Sequence, residues 1–431
     1  MHYICIYREA EKLAIAHKTS STLEGLLSRD SERMVATRLY QAIYTLLVFC
    51  NMIISGRGVD FPYVTRLVNL TYLHYAVRQG AVCLDGSPPA YQFDKGFGDG
   101  VNNWLIFLEG GGWCDTTEDC LNRILLNGMG SSTNMFPKNF TGMTSNEQSL
   151  NPYFYNWNRV YVRYCDGASF TGNNFDPVHK LYYKGAKIFN VVVKDLLAKG
   201  MKNASNALLS GCSAGGLAAV LNCDKFRSLL STNTRVKCAS DAGYFPHLKD
   251  VLGGFSFAKY FDNIVTLHGS AKNLPKSCTL KMKPRSLCFH PQYSLPYVET
   301  PLFIINSAYD TYKIANILAP NLTNLPKSWE TCRSNTTTCL TPDHVETLKE
   351  FRLGFLDALP KLANSSFRGM FITSCLIHCQ YHLQQSWNGD DPRFRLHNEA
   401  ISKALGEWYY DKSAVQRIDY ENDLPRVCLT L

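Results

Sequence analysis

The chain has 431 residues, 45% of them hydrophobic, and no polar low-complexity tract. It can therefore bury a sizeable core in one large domain or two ordinary ones. Its formal net charge is +8, a surplus that favours acidic partners without naming one; the absence of a dense Lys/Arg run or zinc-finger spacing argues against a nucleic-acid module.

At the N-terminus, residues 42–54 (AIYTLLVFCNMII) form an apolar run too short for a comfortable membrane span. Arg38 precedes the run and the small pair Ser55-Gly56 follows it, which is the layout of a signal peptide. The mixed-charge residues ahead of Arg38 do not belong to such a peptide, whereas a start at Met34 would give a short basic lead. The expectation is thus an extension plus signal-peptide-like segment over 1–56 and a single catalytic domain over 57–431. That domain is expected to be a monomer, with no stable membrane insertion once the signal is removed.

Cysteine usage points the same way. Of sixteen cysteines, Cys5 and Cys50 lie in the N-terminal segment, and the other fourteen run from Cys83 to Cys428, an even number as a disulfide framework requires. Asn-x-Ser/Thr sequons occur at Asn69, Asn139, Asn203, Asn321, Asn335 and Asn364. Together these indicate an oxidising, secretory route and an extracellular protein.

Beyond Gly56, short apolar strands alternate with amphipathic helices, which predicts an α/β fold with a mostly parallel sheet covered on both faces. Trp104–Leu108 (WLIFL) reads as a buried strand running into Glu109-Gly110-Gly111-Gly112-Trp113, and Arg159–Tyr164 (RVYVRY) alternates as a strand does. Residues 184–198 carry Ile188, Val191, Val192 and Leu196 at helical spacing, and Gly200 supplies a stop. Ala207–Ser210 is a short strand, as is Pro301–Asn306 (PLFIIN). Thr341-Pro342 opens a helix, with Thr as N-cap and Pro at the first helical position; Val345, Leu348, Phe351, Phe355 and Leu359 line one face. Gly369–Ser374 (GMFITS) closes the series as a late strand.

The most informative local pattern is Gly211-Cys212-Ser213-Ala214-Gly215-Gly216, a Gly-x-Ser-x-Gly motif between a strand and a helix-compatible stretch. A nucleophile on a sharp strand-to-helix turn needs small neighbours because the backbone folds tightly there. Its hydroxyl also needs a base, and in α/β hydrolases the partners follow in the order Ser, Asp/Glu, His on loops after late strands. Asp310, just after PLFIIN, fits the orienting carboxylate. Asp241, after the plausible strand VKCAS, competes for that role; alternatively it caps a helix or shapes the pocket floor. His378 follows GMFITS and is the expected base. His378 and His382 have an i, i+4 spacing that can place two ligands on zinc, but no glutamate follows His378 as in a zincin, so neither metal nor cofactor is expected.

Acyl transfer also needs donors for a developing oxyanion, and the amides of Gly111, Gly112 and Ala214 are the candidates. The pairs Cys114/Cys120 and Cys332/Cys339 are spaced to close small loops. Cys212 reads as a buried half-cystine rather than a nucleophile.

These motifs together resemble the plant pectin acetylesterase family, a relative of the animal Notum carboxylesterases. The stretches that carry the resemblance are AVCLDGSPP, VNNWLIFLEGGGWC, YNWNRVYVRYCDGASFTG, LLAKGMKNASNALLSGCSAGG, KCASDAGYF, LHGSAKNLP, TPLFIINSAYD and RGMFITSCLIHCQ, in order over roughly residues 70–410. The resemblance implies an α/β-hydrolase fold and places the family's serine, aspartate and histidine on Ser213, Asp310 and His378. It also implies removal of O-acetyl groups from galacturonosyl residues of cell-wall pectin, an acidic polysaccharide that a basic surface suits. The sequence departs from the family in its N-terminal extension and in the tail LPRVCLTL, which leaves the partner of Cys428 open.

Overall fold

The computed structural model describes residues 67–429 except 127 and 362–365. The expected extension and leader over 1–56, with Met34 and the run 42–54, lie outside the described residues, as does Asn364. Nine strands form the main sheet. In chain order they are β1 (Leu70–Tyr72), β2 (Ala90–Asp94), β3 (Asn103–Leu108), β4 (Asn158–Val162), β5 (Asn206–Cys212), β6 (Arg235–Asp241), β7 (Leu302–Ser307), β8 (Arg368–Thr373) and β9 (Gln416–Ile418). Their spatial order is β9-β8-β7-β6-β5-β3-β4-β2-β1. From β9 to β4 every pairing is parallel; β2 and β1 add an antiparallel edge.

The central strands are apolar on both faces because both faces are covered. Along β3, Trp104, Ile106 and Leu108 enter one core and Leu105 and Phe107 the other. The first core also takes α2 (Gly185–Ala198), α3 (Ala214–Leu221), α4 (Ser256–Leu267) and α5 (Pro342–Ala358); the second takes α6 (Ile401–Tyr409) through Ile401, Leu405 and Trp408. A short α1 (Thr117–Leu125) follows the glycine loop after β3. The expected α/β-hydrolase-like architecture is therefore present, and the strands anticipated from the sequence all form.

Two local details go beyond the sequence reading. RVYVRY forms its strand, and β4 is wholly buried: Arg159 lies inside, its Nη2 2.6 Å from Asp94 Oδ2. Thr341 does precede α5, but its hydroxyl caps no backbone amide and meets His344 Nδ1 at 3.0 Å instead.

All fourteen cysteines from Cys83 to Cys428 are paired: 83–165, 114–120, 212–379, 223–238, 278–288, 332–339 and 375–428. Cys428 thus finds Cys375. The sequon residues Asn69, Asn139, Asn203, Asn321 and Asn335 are exposed. Among the described residues no helix is long and apolar enough to cross a membrane.

Candidate active site

The candidate residues come from loops at the carboxyl ends of β3, β5, β7 and β8, where open parallel sheets present their ligand crevices. Ser213 follows β5 directly and has φ 59° and ψ −125°, a backbone state that costs about 1–3 kcal/mol in a non-glycine residue. Close packing holds it there. A Cβ on Gly215 would stand 2.0 Å from the Leu108 carbonyl oxygen, and one on Gly110 would stand 2.4 Å from that of Cys212. Only glycine lets the turn and the loop after β3 approach so closely. The Ser213 amide is fixed by the Asp241 carbonyl at 2.9 Å.

Ser213 Oγ lies 2.8 Å from His378 Nε2, and His378 Nδ1 lies 2.8 and 2.9 Å from the two oxygens of Asp310. A carboxylate at Nδ1 fixes the proton there, so Nε2 is free to accept from the serine hydroxyl. Both ring nitrogens are thereby engaged, and neither is left for a metal shared with His382. Tyr312 stacks on the imidazole with ring centroids 5.1 Å apart.

Asp310 and Asp241 are both fully buried, yet their environments differ. Burial opposes ionisation of Asp310, but the charges of His378 and Lys313 and the hydrogen bonds from His378 and the Lys313 amide overcome it, and its carboxyl titrates below the usual range. Asp241 receives less compensation, and burial pushes it up to about 7. Its Oδ2 accepts the backbone N–H groups of Gln380 and Tyr381 at 2.5 and 2.9 Å. Asp241 therefore anchors the loop that carries His378 and does not touch the imidazole nitrogens. Lys313, buried behind Asp310 with Nζ 3.9 Å from Oδ2, is lowered to about 8 by burial.

The loop after β3 is held from behind. The Gly111 carbonyl accepts from Arg123 Nη1 at 2.7 Å, and the Gly112 carbonyl accepts from the Tyr164 hydroxyl at 2.9 Å. Ser169 ties this loop to α3: its Oγ receives Trp113 Nε1 at 2.7 Å and donates to the Ala214 carbonyl at 2.8 Å. The amides of Gly111, Gly112 and Ala214 donate to no group among the described residues. Arg123, Tyr164 and Ser169 escaped the sequence reading because they act on backbone carbonyls, which leave no side-chain motif.

A mostly parallel sheet with a serine on the turn after its central strand is the architecture of the α/β-hydrolase class. Comparison with known proteins then narrows the class: the Pectinacetylesterase family model matches residues 64–428, and the chain belongs to that family of esterases. It is 49% identical over 386 residues to pectin acetylesterase 7 of Arabidopsis thaliana, covering 89% of this chain and 95% of that one. Pectin acetylesterase 11 of the same plant is 46% identical over 387 residues, with the same coverage. Among solved structures, the Wnt deacylase Notum from Drosophila has the same fold, with a TM-score of 0.69 at 21% identity over 84% of this chain and 98% of that one.

Proposed function

We propose that the chain is a secreted serine carboxylesterase that removes O-acetyl groups from galacturonosyl residues of cell-wall pectin. One observation carries the chemistry: the unbroken contact from Asp310 through His378 to Ser213. His378 takes the proton as Ser213 Oγ attacks the acetyl carbonyl, and Asp310 stabilises the imidazolium. The tetrahedral oxyanion is met by amides of the Gly111–Gly112 loop and of Ala214, each well-placed donor contributing roughly 3–4 kcal/mol. Collapse expels the sugar hydroxyl, protonated by His378, and water then repeats the sequence to release acetate.

The names of the relatives support pectin as substrate, and the walls of the site support a small acyl group. Trp113, next to the glycine loop, is buried by Phe245, Phe257, Tyr260, Phe261 and Tyr312, an aromatic wall that suits a small acyl group. A surface groove of about 730 Å³ begins at Tyr312 and is lined by Phe257, Tyr260 and Leu322 together with Lys259, Arg333, Asp115 and Asp119, a mixed aromatic and charged surface on which a polysaccharide can lie. The seven disulfides and exposed sequons support passage through a secretory compartment. In this reading residues 57–431 form one catalytic domain released as a monomer, free of the membrane. Acetate release from acetylated pectin and acetylated xylan, measured beside nitrophenol release from a long-chain nitrophenyl ester, tests the assignment; turnover of the long-chain ester alone would overturn it.

A further inference from the structure

We propose that Arg123 is a positioning residue for acyl transfer, aiming the Gly112 amide at the oxyanion by gripping the opposite end of the same peptide unit. The inference rests on the acyl-transfer reading above. A trans peptide is planar, and its C=O and N–H point in opposite directions. The Gly111 carbonyl belongs to the peptide whose N–H is that of Gly112, so pulling the oxygen back toward Arg123 turns the Gly112 amide outward, away from the protein interior. Tyr164 does the same one residue on: it holds the Gly112 carbonyl and so turns the Trp113 amide, a further donor.

Arg123 is built into this place. The disulfide Cys114–Cys120 clamps the first turn of α1 against the glycine loop, and Arg123 lies three residues beyond Cys120, on the same helix face. The side chain is 5% exposed, and its guanidinium lies over the Tyr164 ring at 5.1 Å. It forms no salt bridge among the described residues, and its Nε and Nη2 have no hydrogen-bond partner; its charge acts on the carboxyls of Asp119 and Asp166 without contact. Leaving two N–H groups unmatched and a permanent charge buried is expensive for a residue that merely fills space. A leucine or methionine would fill it without that cost. What the cation does here is donate to one carbonyl and place a positive charge behind the loop where negative charge develops.

The test uses the whole mature chain and 4-nitrophenyl acetate, with active sites counted by the nitrophenol burst. In Arg123→Met, kcat should fall roughly 30- to 100-fold, the scale of a misplaced donor. KM should change little, because both acylation and deacylation pass through an oxyanion and slow together. Phenylboronic acid supplies the second readout: Ser213 Oγ bonds to boron, its proton passes to His378, and a boronate oxygen takes the oxyanion position. Its inhibition constant should rise in step with the loss of kcat. Arg123→Lys should recover most of the loss, since an ammonium can still donate to the Gly111 carbonyl. If Arg123→Met does not fold, Arg123→Gln, which keeps a polar side chain but falls short of the Gly111 carbonyl, should show the same paired losses. Variants with wild-type kcat per titrated site, or with reduced kcat and unchanged boronate affinity, overturn the proposal. A wild-type chain that hydrolyses 4-nitrophenyl acetate but is not inactivated by a fluorophosphonate that phosphonylates Ser213 overturns the acyl-transfer reading itself.

Discussion

Cys212 and Cys379 are bonded to one another, so the residue before Ser213 is covalently tied to the residue after His378. The bridge spans 167 positions of sequence and joins the loops that carry the two groups between which a proton passes in the proposed mechanism. Its removal should act on both stability and rate. For Cys212→Ser combined with Cys379→Ser, stability should drop by about 2–5 kcal/mol, the range for a native disulfide. At temperatures where the variant stays folded, kcat should fall while KM holds, because only the Ser213–His378 distance is loosened. Denaturant titration and steady-state kinetics on the same sample check both parts; an unchanged kcat would make the bridge purely structural.

Replacing Ser213 by Ala should abolish ester hydrolysis with the fold and disulfides intact. The three groups act as a unit, so the expected loss is roughly a million-fold, down to the background of the remaining site. Retention of a tenth of wild-type turnover would remove Ser213 from the mechanism.

The two buried aspartates should separate cleanly. Asp310→Asn presents an amide where Nδ1–H needs a carboxylate, and should cost about ten-thousand-fold in kcat. Asp241→Asn keeps an oxygen for the Gln380 and Tyr381 amides and should cost less than about tenfold. If Asp241→Asn proves the more damaging at equal folded yield, the carboxylate assignment is reversed.

Stability against pH should distinguish Asp241 a second way. Its folded carboxyl titrates near 7, above the ordinary 3.8, so the folded state binds the proton more tightly than the unfolded chain. Its contribution to stability is fully present below about pH 4 and is lost as pH rises through 7. The difference is of order a few kcal/mol. Asp241→Asn should flatten the fall in stability between pH 4.5 and 7.5; Asp166, pushed up to about 7 by burial, will leave a residual slope. Chemical denaturation of both proteins across that range decides it.

How much of this was legible in the sequence depended on whether the signal was local. Short apolar runs such as WLIFL and PLFIIN, bounded by turn residues, mark buried strands, and the glycines flanking Ser213 mark a turn packed tightly against its neighbours. The order Ser213, Asp310, His378 follows from strand order, so chain position pointed to the serine and the histidine and left two aspartates in competition. Asp241 could not be resolved that way, since it too ends a parallel strand. What separates it from Asp310 is its partners Gln380 and Tyr381, far along the chain, where no pattern marks them. The Arg123–Gly111 contact and the Cys375–Cys428 pairing are non-local in the same sense. The burial of Arg159 is non-local too: its buried partner Asp94 makes a charged residue compatible with an interior strand.

The last expectation concerns the acyl group. Phe245 and Phe261 meet Trp113 edge-on at 5.0 and 5.1 Å, and Phe245 also contacts Tyr312, which lies on His378. In the proposed reading, an acyl chain leaving the carbonyl on this side meets this aromatic wall. Lengthening the acyl group from two to eight carbons on a nitrophenyl ester should therefore lower kcat/KM steeply, since the added methylenes find no cavity. Phe245→Ala should open one away from the glycine loop, at a stability cost of about 3–5 kcal/mol. Each methylene that then becomes buried can contribute up to about 0.8 kcal/mol, close to fourfold in kcat/KM. The variant's optimum should accordingly move from acetyl toward butyryl or hexanoyl esters while acetyl turnover per folded molecule changes little. Activity that already rises up to eight carbons in the wild-type chain would mean that a deep lipid site exists despite these rings, and the assignment would turn from deacetylation of a polysaccharide to removal of a fatty acyl group.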